Sequence, residues 1–203
     1  MTSERLKYQP VTLARLDDFH SLVQDDHVRR YLMDGQVFPR EWSEQRVRDS
    51  ISLFDRRGVG LWLAYERTSS ELAGFCGFLE IPSMHPEPQL VYALVERFTS
   101  IGYATEMAVA SIAEAHRHPG FRTIAAGVDE VNVASVHVLE KLGFRQVATH
   151  PGSFGNALLM LLEVSDAGSK STPASLRING RRSPVTGSVT AKRQSATVRR
   201  RES

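Results

Sequence analysis

Two short stretches carry residue types and spacings that could do chemistry. The first is Thr99-Ser100-Ile101-Gly102-Tyr103-Ala104-Thr105-Glu106, a small-residue turn that opens a helical run. A helix N-terminus carries unpaired N–H groups and a partial positive charge, so it suits a phosphate. Gly102 and Ala104 are small enough to let a ligand approach the backbone closely. The second stretch, Asn132 to Phe144, reads N-V-A-S-V-H-V-L-E-K-L-G-F. It is helical by pattern and ends at Gly143, a helix C-terminal glycine. Asn132, Ser135, Leu139 and Leu142 share one of its faces. A β-rich run, A-A-G-V-D, lies between the two. On the residues alone, the turn is also readable as an ordinary strand-to-helix connection, Asn132 as a helix cap and Ser135 as a small packing residue.

The two blocks, in this order and spacing, resemble the GNAT acetyltransferases, which bind acetyl-coenzyme A. The family's phosphate-loop pattern, Q/R-x-x-G-x-G/A, falls on Thr99 to Ala104, with Thr99 at its first position. More narrowly, T-S-I-G-Y-A-T-E is similar to the W-G-x-G-Y-A-T-E of the branch that acetylates ribosomal-protein N-termini (RimJ/RimL-like), with Ser100 in place of the first glycine. The resemblance implies an α/β GNAT fold: a mixed, mostly antiparallel sheet with a splayed central parallel strand pair, flanked by helices. Acetyl-coenzyme A would lie in the splay as co-substrate, and no metal is implied. Backbone N–H groups of Ser100, Ile101, Gly102, Tyr103, Ala104 and Thr105 would hold the pyrophosphate, with the Thr105 hydroxyl adding a donor. Ala93, Leu94 and Val95 would supply backbone groups to the pantetheine chain, from a strand that is usually bulged. Asn132 matches the family residue that contacts that chain.

The reaction so implied is attack of a neutral amine on a thioester, with no acyl-enzyme. It needs a donor for the oxyanion, a base for the amine proton and an acid for the leaving thiolate. A backbone N–H near Leu94 suits the first. Many family members place a tyrosine acid at the position of Leu139, where leucine cannot donate; the serine one turn earlier, thought to serve in the ribosomal branch, is matched by Ser135. Glu80, at the end of a core strand, is the first candidate for the base, ahead of Glu96, Asp129, Glu130, His85 and His150. Tyr92 reads as a packing residue of the splayed strand.

The elements that must position these residues are legible in outline. A first strand ends near Pro10. Leu16, Phe19 and Val23 fall at helical spacing, a short segment carries Val28, Tyr31 and Leu32, and a further helix with Ser43 as N-cap buries Val47, Ile51 and Phe54. In the family this helical pair lies over the acceptor. Strands are expected over 61–66, 72–81 and 89–95, a helix over 102–117 with a ridge of Ala104, Ala108, Ser111 and Ala115, and a strand over 121–128. Strands at 144–149 and 158–164 close the sheet as an antiparallel pair, joined by a loop, H-P-G-S-F-G-N, long enough to touch the acceptor.

The 203 residues suit one domain with a tail: an acetyltransferase domain over 1–164 and a basic, disordered tail over 165–203. The tail carries nine basic and two acidic side chains, a charge of +7 that leaves −5 on the rest. It reads first as a solvated tail without a specific partner; the functional reading beside it is weak phosphate contact with nucleic acid or ribosomal RNA, without aromatic residues for base stacking. The single cysteine, Cys76, excludes an internal disulfide framework and reads as a buried strand residue. No apolar run approaches the roughly 20 residues of a membrane span, and the N-terminus lacks the apolar core of a signal peptide. The expectation is a cytoplasmic protein, monomeric or homodimeric, acting on an amine acceptor that is a protein N-terminus or a small molecule. Two other readings stand beside it: a non-catalytic coenzyme-binding or sensing domain, and a ribosome- or nucleic-acid-associated protein that docks through the tail.

Overall fold

The computed structural model describes residues 1–152 and 154–163; the tail expected over 165–203 lies outside them. An alternating pattern in β1 (Leu6–Pro10) and near-continuous apolar runs in β2 (Leu61–Glu66), β3 (Leu72–Leu79) and β4 (Gln89–Leu94) build the first strands. Three helices, α1 (Leu16–Gln24), α2 (Asp26–Leu32) and α3 (Arg40–Arg57), separate β1 from β2. After β4 come α4 (Tyr103–Ala115), β5 (Thr123–Asp129), α5 (Val133–Lys141), β6 (Arg145–Gly152) and β7 (Gly155–Glu163). They form one seven-stranded sheet in the order β1-β2-β3-β4-β5-β7-β6. Every neighbouring pair is antiparallel except β4 and β5. This mixed sheet is the fold the resemblance implied.

Side chains of a strand alternate between faces, so each face of the sheet has its own core. On β4, Val91 and Ala93 join Phe19, Val23, Val47, Leu63 and Phe75 under α1–α3. Leu90 joins Ala108, Ala126, Val128 and Leu139 under α4 and α5. A third cluster sits under β1 and α4 and contains Leu6, Cys76, Leu94 and Met107. The expected small ridge of α4 is present, with Ala108, Ser111 and Ala115 buried. Burial of Cys76 pushes its thiol up to about 12, with a hydrogen bond from Ser111 opposing, which leaves it inert as a nucleophile.

The feature that positions the site is the junction of β4 and β5. Their parallel pairing is confined to Gln89 opposite Ala125. Beyond that point the strands part, although β5 stays fully paired with β7 and β4 with β3. The expected bulge is absent: β4 matches β3 without a register shift from Leu79↔Gln89 to Gly74↔Leu94. The splay comes instead from divergence of the strands, with α4 and α5 packed below the gap.

Several local expectations are corrected. The third helix starts at Arg40 with Pro39 as N-cap. Ser43 is buried inside the helix, where its Oγ bonds His20 Nδ1 at 2.8 Å. The cap chemistry lies one helix earlier, where Asp25 Oδ1 accepts from the His27 and Val28 N–H groups at 3.0 and 3.1 Å. β3 ends at Leu79, so Glu80 lies outside it. The residues expected as a long loop before the last strand are mostly strand: His150, Pro151 and Gly152 pair with Ala157, Asn156 and Gly155. Gly143 does end α5, with a left-handed φ of 91° and with the Phe144 N–H returned to the Leu139 carbonyl at 3.0 Å. Among the described residues no helix is long and apolar enough to cross a membrane.

Candidate active site

A cleft of about 760 Å³ runs through the gap between β4 and β5. At one end it meets the turn before α4. Gly102 is the N-cap there, at φ 88° in the left-handed region, and no side chain caps the helix. The first-turn N–H groups of α4 are therefore left for a ligand. Ser100 also adopts a left-handed φ, 61°. A glycine would take that conformation freely, whereas a serine does so at a cost of about 1–2 kcal/mol.

The turn is fastened from outside by Arg5. Its Nη1 donates to the Ile101 carbonyl at 2.8 Å, and its Nε and backbone N–H donate to Glu106, each at 2.8 Å. Its guanidinium also lies 4.6 Å from the centre of the Tyr103 ring. Glu106 stands in the first turn of α4, close to where an anion would sit. Burial pushes its carboxyl up, but the hydrogen bonds from Arg5 and Ser3 outweigh that and hold it below the ordinary carboxylate range. Arg5 thus neutralises a charge that would otherwise oppose phosphate binding.

Of the loop residues expected to hold coenzyme, Ser100, Gly102, Ala104 and Thr105 line the cleft. The side chains of Ile101 and Tyr103 do not: Ile101 is exposed, and Tyr103 is buried against Phe98. Ala93 and Leu94 line the gap and Val95 does not. The Val95 N–H donates to the Ala73 carbonyl at 3.0 Å, on the β3 side. Backbone groups alternate in direction along a strand. The N–H and C=O of Tyr92 and Leu94 are thereby turned to the gap, and those of Ala93 and Val95 to β3. The Leu94 N–H is where the oxyanion donor was expected.

On the opposite wall, Asn132 is the N-cap of α5, its Oδ1 accepting from the Ser135 N–H at 3.2 Å. The cap leaves its Nδ2 as a donor at the cleft. Ser135 Oγ lies 2.7 Å from Tyr92 Oη, which also reaches the Ser135 carbonyl at 3.3 Å. Burial raises the Tyr92 hydroxyl to about 12, with the Ser135 hydrogen bond opposing. Tyr92 therefore stays protonated. Tyr92 packs against the core as expected, and its hydroxyl also brings a phenol from β4 to Ser135. Its position between apolar neighbours hides a hydrogen bond to a residue 43 positions away.

Glu80 does not line the cleft. The Arg56 guanidinium holds both its oxygens, at 3.1 and 3.0 Å, and lowers its pKa. Glu130 accepts from Asn156 Nδ2 at 2.9 Å, also away from the cleft. Among the carboxylates considered from the sequence, Asp129 is the one at the cleft. Burial, and then the charge of Asp34, push its pKa up. α2 contributes His27, Tyr31 and Leu32 to this end of the cleft, whereas α3 contributes none of its lining.

Residues 5–145 match the family model described as the acetyltransferase (GNAT) domain. The chain belongs to the GNAT acetyltransferase family. Among curated proteins, it is 32% identical over 114 residues to the uncharacterized protein YkkB of Bacillus subtilis. That match covers 54% of this chain and 62% of YkkB. Among solved structures, a putative GNAT-family acetyltransferase from Bordetella pertussis superposes with a TM-score of 0.69 at 21% identity, over 79% of this chain and 97% of that one. RimL, a ribosomal L7/L12 alpha-N-protein acetyltransferase in complex with coenzyme A, gives 0.67 at 20% identity, over 81% and 97%. At these identities the structural likeness establishes the GNAT fold.

Acetyl-coenzyme A fits what the residues offer. An uncapped helix N-terminus meets a strand edge with backbone groups turned into a gap, and Leu90, Val138 and Leu139 supply apolar walls.

Proposed function

We propose that this protein transfers the acetyl group of acetyl-coenzyme A to a primary amine by direct attack. The observation that carries the reading is the parting of β4 from β5 after a single paired position, which turns the Leu94 N–H into a cleft continuous with the uncapped start of α4. The turn from Ser100 to Thr105 holds the pyrophosphate. Leu94 donates to the developing oxyanion. Ser135 gives its proton to the leaving sulfur and is kept oriented by Tyr92. Asp129 takes the amine proton, in place of the Glu80 expected from the sequence. Burial and the Asp34 charge raise its pKa above the ordinary carboxylate value, which makes it a stronger proton acceptor.

Kinship with the ribosomal N-terminal branch is part of the proposal, supported by the run from Gly102 to Glu106 and by the second block. So is a cytoplasmic setting, and with it weak nucleic-acid contact by the basic tail. The test is calorimetric titration of the full chain with acetyl-coenzyme A, followed by thiol release in the presence of amines. Micromolar binding, about −8 kcal/mol, with amine-dependent thiol release is expected. Absence of binding by the folded protein would overturn the reading.

A further inference from the structure

One buried side chain of the cleft lining is left with an unused hydrogen-bonding atom. Gln89 stands where β4 and β5 part and is 0% exposed. Its Nε2 donates to the Ile81 carbonyl at 2.9 Å. A carbonyl can only accept, so this bond fixes which end of the amide is the nitrogen. Its Oε1 is buried without a hydrogen-bond partner among the described residues. The Ile81 carbonyl also accepts from the Met84 and His85 N–H groups, at 2.9 and 3.2 Å. The amide is thereby tied to a tight turn and cannot turn over without losing that bond.

The free oxygen lies on one definite face of the sheet. Ala126 and Val128 are buried under α4 and α5, so Gly127 and Asp129 present the opposite face of β5, the face to which Val91 and Ala93 of β4 belong. Gln89 Oε1 lies 3.4 Å from where a Cβ on Gly127 would stand. Met84 Cε and Sδ lie 2.8 and 3.0 Å from the same point, so Met84 fills the space that a side chain at 127 would take. Gln89, Met84, Gly127 and Asp129 all line the cleft. Met84 is an unbranched side chain with three rotatable bonds, which lets it turn aside from the oxygen where a branched residue would be fixed. A buried acceptor without a donor is unfavourable, so a ligand group that displaces Met84 and donates to Oε1 makes a hydrogen bond that the free site lacks.

Resting on the acetyltransferase reading above, we infer that the acceptor carries, three bonds from its reacting amine, a second and uncharged hydrogen-bond donor that Gln89 Oε1 receives once Met84 turns aside. Spacing sets the three bonds. Asp129, the proton acceptor proposed above, stands two residues beyond Gly127, about 7 Å along β5. With hydrogen bonds of about 2.9 Å slanting in from both ends, the reacting nitrogen and the second donor stand about 3–4 Å apart. That is the span of three covalent bonds. An α-amino amide, through its N–H, and a 2-amino alcohol, through its hydroxyl, both have this arrangement. The donor is uncharged because Ile81 and Met84 make the surroundings of the oxygen apolar. Stripping water from an ammonium there costs far more than stripping it from an amide N–H or a hydroxyl. Gln89 then selects the acceptor and orients it, while the proton transfers stay with Asp129 and Ser135.

The experiment compares two matched pairs of acceptors on the full chain. Alanine N-methylamide is set against alanine methyl ester, in which oxygen replaces the N–H. 2-Aminoethanol is set against 2-methoxyethylamine, in which a methyl caps the hydroxyl. Acetyl-coenzyme A binding is measured separately by calorimetry. In one pair or both, the donor-bearing member is expected to exceed its partner in kcat/KM by about tenfold or more. A preference in the first pair identifies an α-amino amide as acceptor, and one in the second a 2-amino alcohol. Gln89→Met keeps the length of the side chain and loses the amide, and should bring the ratio within the pair close to one. A substitution that merely loosened the wall would slow both members alike and leave the ratio as it was. If acetyl-coenzyme A binds but neither donor-bearing amine is preferred, or the preference survives in folded Gln89→Met, the second donor is overturned and the coenzyme reading stands. If acetyl-coenzyme A does not bind, both fall.

Discussion

The two ends of the cleft are built from different materials. At the coenzyme end the ligand-facing groups are mostly backbone: the N–H groups at the start of α4 and the Leu94 edge of β4. They come from consecutive residues, and their direction follows from helix and strand geometry. At the α2 end the lining is of side chains from separated segments: Tyr31 and Leu32 of α2, Gln89 at the start of β4 and Asp129 at the end of β5. Backbone recognition suits a co-substrate shared by a whole family, because many sequences preserve it. Side-chain recognition suits the acceptor, because one substitution can change it.

That contrast can be broken most severely at Gly102. Gly102→Glu puts a side chain on a left-handed residue and a negative charge where phosphate is held. Its Cβ would also lie 3.3 Å from Arg5 Nη2. Affinity for acetyl-coenzyme A should fall by roughly a hundredfold or more, and the left-handed strain should cost about 1–2 kcal/mol of stability. Circular dichroism should show the fold retained. Tight binding by the folded variant would mean that the turn is not the phosphate site.

Asp129→Asn tests the other end. It should leave coenzyme binding intact and lower kcat by about 10²–10⁴. Its effect on stability should be opposite in sign. Asp129 is raised above its unfolded value by burial and by Asp34, so the fold favours the protonated form and loses stability as pH rises through the raised pKa. Removing that charge should therefore raise Tm at neutral pH while activity falls. In the parent protein, kcat/KM should rise with pH as Asp129 loses its proton. A variant that keeps full activity would remove Asp129 from the chemistry.

Ser135→Ala and Tyr92→Phe separate a group that acts from a group that orients it. The serine variant should lose about a hundredfold in kcat. The tyrosine variant should lose less, since Ser135 Oγ remains and only its 2.7 Å partner is gone. A Tyr92→Phe loss equal to that of Ser135→Ala would make the phenol the donor itself. The smallest effect is expected at Ser100. Ser100→Gly relieves the left-handed strain while adding freedom to the unfolded chain, for a net gain of about 0.5 kcal/mol by thermal unfolding.

The turn before α4 and the end of α5 were legible from the residues because the information is local. Gly102 and Gly143 announce their left-handed conformations through residue type, and both adopt them. The acceptor end was not legible. Met84 stands in the turn before β4, and Gln89 opens an apolar strand; neither shows a chemical signal in one dimension. Glu80 lies outside the cleft because the strand stops at Leu79 and Arg56 arrives from α3. Arg5 shows no such signal either, because its hold on Ile101 and Glu106 spans about a hundred positions.

By itself the sequence determined the order of helices and strands, the turn that can hold a phosphate, and the family. Hydrophobic period, glycine placement and helix-end chemistry all act over a few residues. The tertiary structure decided which carboxylate reaches the cleft, which hydroxyl partners Ser135, and how the sheet parts without a bulge. Those outcomes depend on where distant segments meet, and on a strand divergence that no residue of β4 or β5 specifies alone.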